Sequence, residues 1–126
     1  MSKTPDDLKY SKDHEWVKLD GDLATVGISD YAQEQLTDVV FVELPEIGKE
    51  VEKDKNMANV ESVKSVSDIF SPVSGQVTEV NKKLSDAPET INSDCYGEGW
   101  IVKIKLKDNA EIDSLMSAKE YEEHIK

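Results

Sequence analysis

Apolar residues in this chain fall in short runs, mostly at a period of two, separated by clusters of Asp, Gly, Pro and Ser. Such runs read as strands, because successive side chains of a strand face opposite sides of a sheet. Residues 16–19 and Leu23–Ile28 are the arms of a predicted hairpin, with Asp20 and Gly21 as its turn. Ser29 is placed to cap a short helix over Asp30–Leu36, whose early acid suits the positive end of the helix dipole. Residues 39–44 are β-branched and aromatic with apolar side chains at both parities, which predicts a strand buried on both faces. Pro45 and Gly48 end it. Shorter strands are expected at 57–60 and Val66–Phe70, then a turn cluster at 71–75 and a strand at 76–80. Residues 81–99, dense in Asn, Asp, Pro and Gly, read as a long ordered loop. Residues 100–107 alternate well, with Trp100, Val102, Ile104 and Leu106 inward and Lys103, Lys105 and Lys107 outward. Ile112, Leu115 and Met116 give one apolar turn. Ser117 and Glu120 form a capping-box pattern that opens a last helix to about Ile125.

One mostly β domain over residues 1–126 follows, with short helices near both ends. At 126 residues the chain can bury roughly two-thirds of its unfolded surface. Charge narrows the function. There are 27 Asp and Glu against 15 basic residues, all of them Lys, for a net charge of −12. That argues against nucleic acid, which needs a basic footprint. An anionic membrane would repel such a surface, and no apolar run approaches the ~20 residues that span one. Without Arg there are no bidentate guanidinium clamps for phosphate or carboxylate. Cys95, a lone cysteine, cannot form an intramolecular disulfide, so a reducing compartment is expected. The N-terminal residues have neither a secretory apolar stretch nor Arg-rich transit character. A bacterial cytoplasm is the expected location; a mature mitochondrial protein without its leader would read the same way.

Few residues offer chemistry. His14, His124 and Cys95 show no metal-ligand spacing and read as surface histidines and a loop thiol. Gly97 and Gly99 lack the Lys and the strand–turn–helix setting of a phosphate loop. Asp6, Asp7, Asp13, Glu15, Asp30 and Asp68 show no spacing that singles out an acid–base pair. Lys64 differs. It sits in a short polar segment, 61–65, between two strand ends, where a tight hairpin anchored by Val60 and Val66 would present it to solvent. Such a lysine suits covalent attachment, being reachable yet fixed in place. An ordinary exposed turn lysine fits the same spacing.

Several motifs in order resemble the glycine cleavage H-protein family. They are the run Asp13, His14, Glu15, Trp16, Val17; Val26, Gly27, Ile28 with Tyr31, Ala32, Gln33; residues 40–45; Glu61, Ser62, Val63, Lys64; Ser67 and Asp68; residues 71–75; and residues 96–100. The match runs from about Leu8 to Ile125. The resemblance implies a lipoyl-domain-like fold, a flattened β-barrel or sandwich of two small sheets with the modified lysine on a hairpin. It implies lipoate in amide linkage to Lys64 and a shuttle that is not itself an enzyme. The implied partners are a pyridoxal-phosphate glycine decarboxylase, a tetrahydrofolate-dependent aminomethyltransferase, a flavin dihydrolipoyl dehydrogenase that uses NAD, and the lipoate-attaching enzymes. One tether then raises the effective concentration of a reactive group at successive sites.

Within that resemblance Glu61, three residues before the lysine, is expected to help the attaching enzyme recognise the hairpin. A groove beside the hairpin, lined by acids such as Glu15 and Asp68, is expected to receive the cationic, aminomethyl-loaded arm. Trp16, Phe41 and Trp100 are expected to pack. Three positions depart from the family pattern: Ser65 where Ala is usual, Thr37 where Gly is common, and Cys95 where Pro is frequent. Thr37 is expected to stiffen the helix exit, and Cys95 to be open to oxidation. A biotin carrier would set Met on both sides of the lysine, where Val63 and Ser65 stand. An acyl-transferring lipoyl domain would show Asp-Lys-Ala and a Pro/Ala-rich linker. A carrier that only relays lipoate to other proteins keeps the lysine and the fold, and a small carboxylate hydrolase has no motif in its favour. A carrier that visits several active sites is expected to be a monomer.

Overall fold

The computed structural model describes residues 3–126; Met1 and Ser2, the start of the N-terminal segment read above, lie outside the described residues. Among the described residues nine strands form two open antiparallel sheets. In chain order they are β1 (Lys9–Tyr10), β2 (Glu15–Asp20), β3 (Leu23–Ile28), β4 (Val39–Glu43), β5 (Glu50–Val51), β6 (Asn56–Ser62), β7 (Val66–Phe70), β8 (Gly75–Val80) and β9 (Val102–Leu106). The larger sheet has the order β1-β2-β3-β9-β8-β5, and the smaller β4-β6-β7. Four short α-helices join them: α1 (Asp30–Leu36), α2 (Lys83–Asp86), α3 (Thr90–Ser93) and α4 (Ala118–His124), with a 3₁₀ turn over Asn109–Ser114. No helix among the described residues is long and apolar enough to cross a membrane.

Local chemistry places the elements nearest the site. Asp20 pairs with Leu23 across a turn in which Gly21 has φ 65°, a left-handed conformation that a side chain disfavours. Ser29 caps α1 by accepting from the Ala32 amide. Ser117 and Glu120 complete both hydrogen bonds of a capping box on α4. The principal core lies between the sheets, where Val26, Val77 and Ile104 of the larger meet Val42, Val60 and Ile69 of the smaller. A second core forms on the outer face of the larger sheet, under α4. Tyr10 stacks on Tyr121 with ring centroids 4.6 Å apart, beside the buried Trp16. Trp16 donates its indole N–H to the Cys95 carbonyl at 2.9 Å. Gly27 stands opposite Trp16 because a Cβ there would come within 2.7 Å of the indole ring.

Some expectations change. Residues 39–44 are not a strand covered on both faces: β4 is an edge strand, and Val40 and Phe41 are exposed, at 51% and 47%. A register shift between Val39 and Phe41 breaks the alternation there, so Phe41 looks outward instead of packing. Val66 does not anchor its arm; it is 64% exposed, while Val60 is fully buried. Residues 81–99 contain the single-turn helices α2 and α3, held by Leu84 and Ile91 in the core. The last long strand begins at Val102, and Trp100 is half-buried with the Lys103 ammonium 5.2 Å above its ring. Cys95 is buried, and desolvation pushes its thiol up to about 12, which suppresses the reactive thiolate and removes the expected openness to oxidation.

Candidate functional site

Lys64 stands at the tip of the β6–β7 hairpin, whose arms pair through Glu61 with Val66 and Val60 with Ser67. The tip is a built structure. The Ser62 amide donates to the Ser65 carbonyl at 2.8 Å, and the Ser62 hydroxyl oxygen accepts from the amides of Lys64 and Ser65 at 3.1 and 3.0 Å. The Val63 amide donates to the Asp38 carbonyl at 3.0 Å, tying the tip to the segment after α1. Lys64 is exposed, and among the described residues no hydrogen bond or ion pair holds its ammonium. The backbone is therefore fixed while the side chain is free.

Beside the hairpin lies a cavity of about 460 Å³ whose lining includes Lys64. Leu36, Val60 and Ile69 supply apolar surface; His14, Glu15 and Asp68 supply polar groups. Of the expected groove acids, Asp68 is exposed and Glu15 is buried, with 2% of its surface accessible. With its nitrogen turned toward Asp68, the Asn59 amide donates to Oδ1 at 2.9 Å. The Glu15 carboxyl accepts from the Ser11 hydroxyl and from the Phe70 amide. Burial outweighs both bonds and, with Asp13 and Asp54 nearby, pushes Glu15 up to about 8. Glu61 lies elsewhere. It is exposed on the outer face of the smaller sheet, in one cross-strand row with Phe41 and Val66.

His14 and Tyr31 also line the cavity, and sequence reasoning assigned neither to it. His14 is half-buried rather than a surface residue, and its backbone is left-handed at φ 72°. Its Nδ1 lies 2.8 Å from the Tyr121 hydroxyl, which also bonds the Ser29 hydroxyl at 2.6 Å. Burial, and next the neighbouring His124, lower its pKa, so the ring is neutral near pH 7. The only available signal was position, since His14 directly precedes Glu15. Among the described residues no group of three or more His, Cys, Asp or Glu side chains could hold a metal ion.

The chemistry of this donor set fits a long arm on Lys64 that is apolar along its length and cationic at its end. Comparison with known proteins gives the family. A sequence model of the family described as Glycine cleavage H-protein matches residues 8–126. The glycine cleavage system H protein of Symbiobacterium thermophilum is 53% identical over 126 residues, covering 100% of this chain and 98% of that protein. That of Coprothermobacter proteolyticus is 55% identical over 124 residues, covering 98% of each. The crystal structure of a glycine cleavage system H protein from Mycobacterium marinum superposes with a TM-score of 0.89 at 40% identity, covering 96% of this chain and 98% of that one. On the fold, the hairpin and a match over nearly its whole length, this chain belongs to the glycine cleavage H-protein family, the lipoyl carriers of the glycine cleavage system.

Proposed function

We propose that Lys64 holds lipoate through an amide at Nζ, and that the cavity beside the hairpin shelters the arm when its end bears a cationic amine. One observation carries this reading: Lys64, an apolar wall, Glu15 and Asp68 line the same cavity. Bound there, lipoate would supply a cyclic disulfide that an aminomethyl group from glycine, arriving with its bonding electron pair, opens to leave one sulfur carrying that group and the other a thiol. The chain itself does no bond chemistry in this scheme. Leu36, Val60 and Ile69 cover the apolar length of the arm and exclude water from it. Glu15, held near its own pKa at neutral pH, gives up its proton as a cation arrives and then binds it as a charge-assisted pair. Asp68 supplies a second anionic contact from the solvent side.

The partners of this reading are the pyridoxal-phosphate decarboxylase, the tetrahydrofolate-dependent aminomethyltransferase and the dihydrolipoyl dehydrogenase. Bacterial relatives support a bacterial cytoplasmic setting, and one carrier domain working as a monomer suits repeated visits to three enzymes. Intact-mass measurement tests the attachment. A single lipoyl increment that disappears in Lys64→Arg is the expected result; an unmodified chain from a lipoate-replete host would sink the reading. Glu15→Ala combined with Asp68→Ala is expected to shorten the lifetime of the loaded arm, and an unchanged lifetime would refute the sheltering cavity. Glycine–bicarbonate exchange with the decarboxylase separates this shuttle from a carrier that only relays lipoate.

A further inference from the structure

The large hydrophobic side chains exposed among the described residues are Leu19, Val40, Phe41, Ile47, Val63 and Val66, and four of these six surround the lysine hairpin. Phe41, Glu61 and Val66 form one outward row across β4, β6 and β7. Val40 sits at the bulge before Phe41, and Val63 directly precedes Lys64. Apolar surface gathered at one place on a chain of charge −12 marks a contact site. Leu19 and Ile47 lie apart from it, at the β2–β3 turn and beyond the far end of β4.

We infer that Phe41, Val63 and Val66, with Glu61 set between Phe41 and Val66, form the surface on which the lipoate-attaching enzyme seats this chain. The inference rests on lipoate attachment at Lys64. Reach selects this occupant among the partners. Amide formation requires the neutral Nζ to attack the carbonyl carbon of an activated lipoyl acyl group. The bond from that carbon to its leaving group breaks, and the nitrogen loses a proton to the enzyme or to water. The attaching enzyme must therefore come within one lysine side chain of the tip and touch the surface around it. Enzymes that receive the finished arm are reached by the lysine stem plus the whole lipoyl chain, and need no grip on the outer row. The complementary surface is an apolar depression with a Lys or Arg opposite Glu61, since an acid among apolar residues on a docking face calls for a cation.

The test uses full-length protein made without lipoate, a purified lipoate–protein ligase, lipoate and ATP, read by intact mass. Phe41→Ser and Val66→Ser are each expected to raise the KM for the protein about tenfold, as loss of an interface anchor does, with kcat nearly unchanged. Ile47→Ser should behave as wild type. Thermal melts check folding, which these exposed positions leave intact, and Val63→Ser provides a third variant at the same face. Unchanged KM in the variants of Phe41, Val63 and Val66 would overturn the docking surface while leaving attachment standing. Wild-type protein that gains no mass at Lys64 would overturn the attachment itself, and the docking surface with it. A wild-type dimer that these substitutions dissociate would assign the patch to self-association instead.

Discussion

Glu15 shows how one side chain can hold two requirements in opposition. Two hydrogen-bond donors favour its carboxylate, yet burial dominates and the group reaches about 8 from an ordinary 4.5. The folded protein thus binds this proton more tightly than the unfolded chain does. Its stabilising contribution is complete below about 4.5 and is lost as pH rises through about 8. At about 1.4 kcal/mol per pKa unit, the loss is on the order of 5 kcal/mol at most. Glu15→Gln, neutral at every pH, removes that dependence. Urea unfolding at pH 5, 6.5 and 8.5 should show wild type losing stability relative to the variant, and a constant difference would refute the buried proton. Thr37 is a second residue held against its preference, closing α1 at φ 64° and ψ −144°. That region is almost reserved for glycine and costs a side chain about 1–3 kcal/mol. Offset by the greater freedom of glycine in the unfolded chain, Thr37→Gly should stabilise the protein by about 1 kcal/mol, read as a higher urea midpoint with unchanged slope.

Among the elements, the β6–β7 hairpin is the one whose rigidity the proposed attachment uses. Ser62 organises its tip through three hydrogen bonds, two accepted by its hydroxyl oxygen and one donated to the Ser65 carbonyl. Ser62→Ala should cost only about 1 kcal/mol globally, because these bonds are exposed. The amides of Lys64 and Ser65 should nonetheless exchange much faster with deuterium, while those of β6 and β7 keep their protection. The place of this hairpin was legible because its determinants are local: two apolar runs, a polar break and small residues at the tip. The β2–β3 hairpin and both capped helices were legible for the same reason. β4 was misread because a run with apolar residues at both parities has the same pattern whether its second face meets the core or a partner. The cavity was legible only as two acids. Its remaining lining depends on His14 meeting Tyr121, 107 residues later, and on a left-handed backbone that no spacing announces.

At the scale of the whole molecule, the two outer faces of the sandwich differ in their balance of charge. The outer face of the smaller sheet carries Glu43, Glu61 and Asp68 in neighbouring rows, the last two within a few residues of Lys64. The outer face of the larger sheet carries Lys18, Lys103 and Lys105 on β2 and β9, balanced there by Asp20, Glu50 and Glu79, the last 3.3 Å from the Lys103 ammonium. The acids on the smaller sheet have no such balance, so in a chain of net charge −12 the hairpin face adds an oriented negative field. Such a field accelerates encounter with a basic rim and aligns the hairpin toward it before contact. Fields of this kind are screened over about 8 Å at 0.15 M salt, so the gain must fade as salt rises. For the lipoyl-bearing protein and dihydrolipoyl dehydrogenase, kcat/KM should fall severalfold between low and physiological ionic strength, with kcat nearly constant. Glu43→Lys should lower kcat/KM at low salt and flatten its salt dependence. Lys105→Glu changes the net charge in the opposite sense on the opposite face, and should alter kcat/KM far less than Glu43→Lys. Equal and opposite effects from the two substitutions would mean that only total charge matters. Loss confined to Glu43→Lys would mean that the sandwich steers its carrier hairpin by the arrangement of charge between its faces.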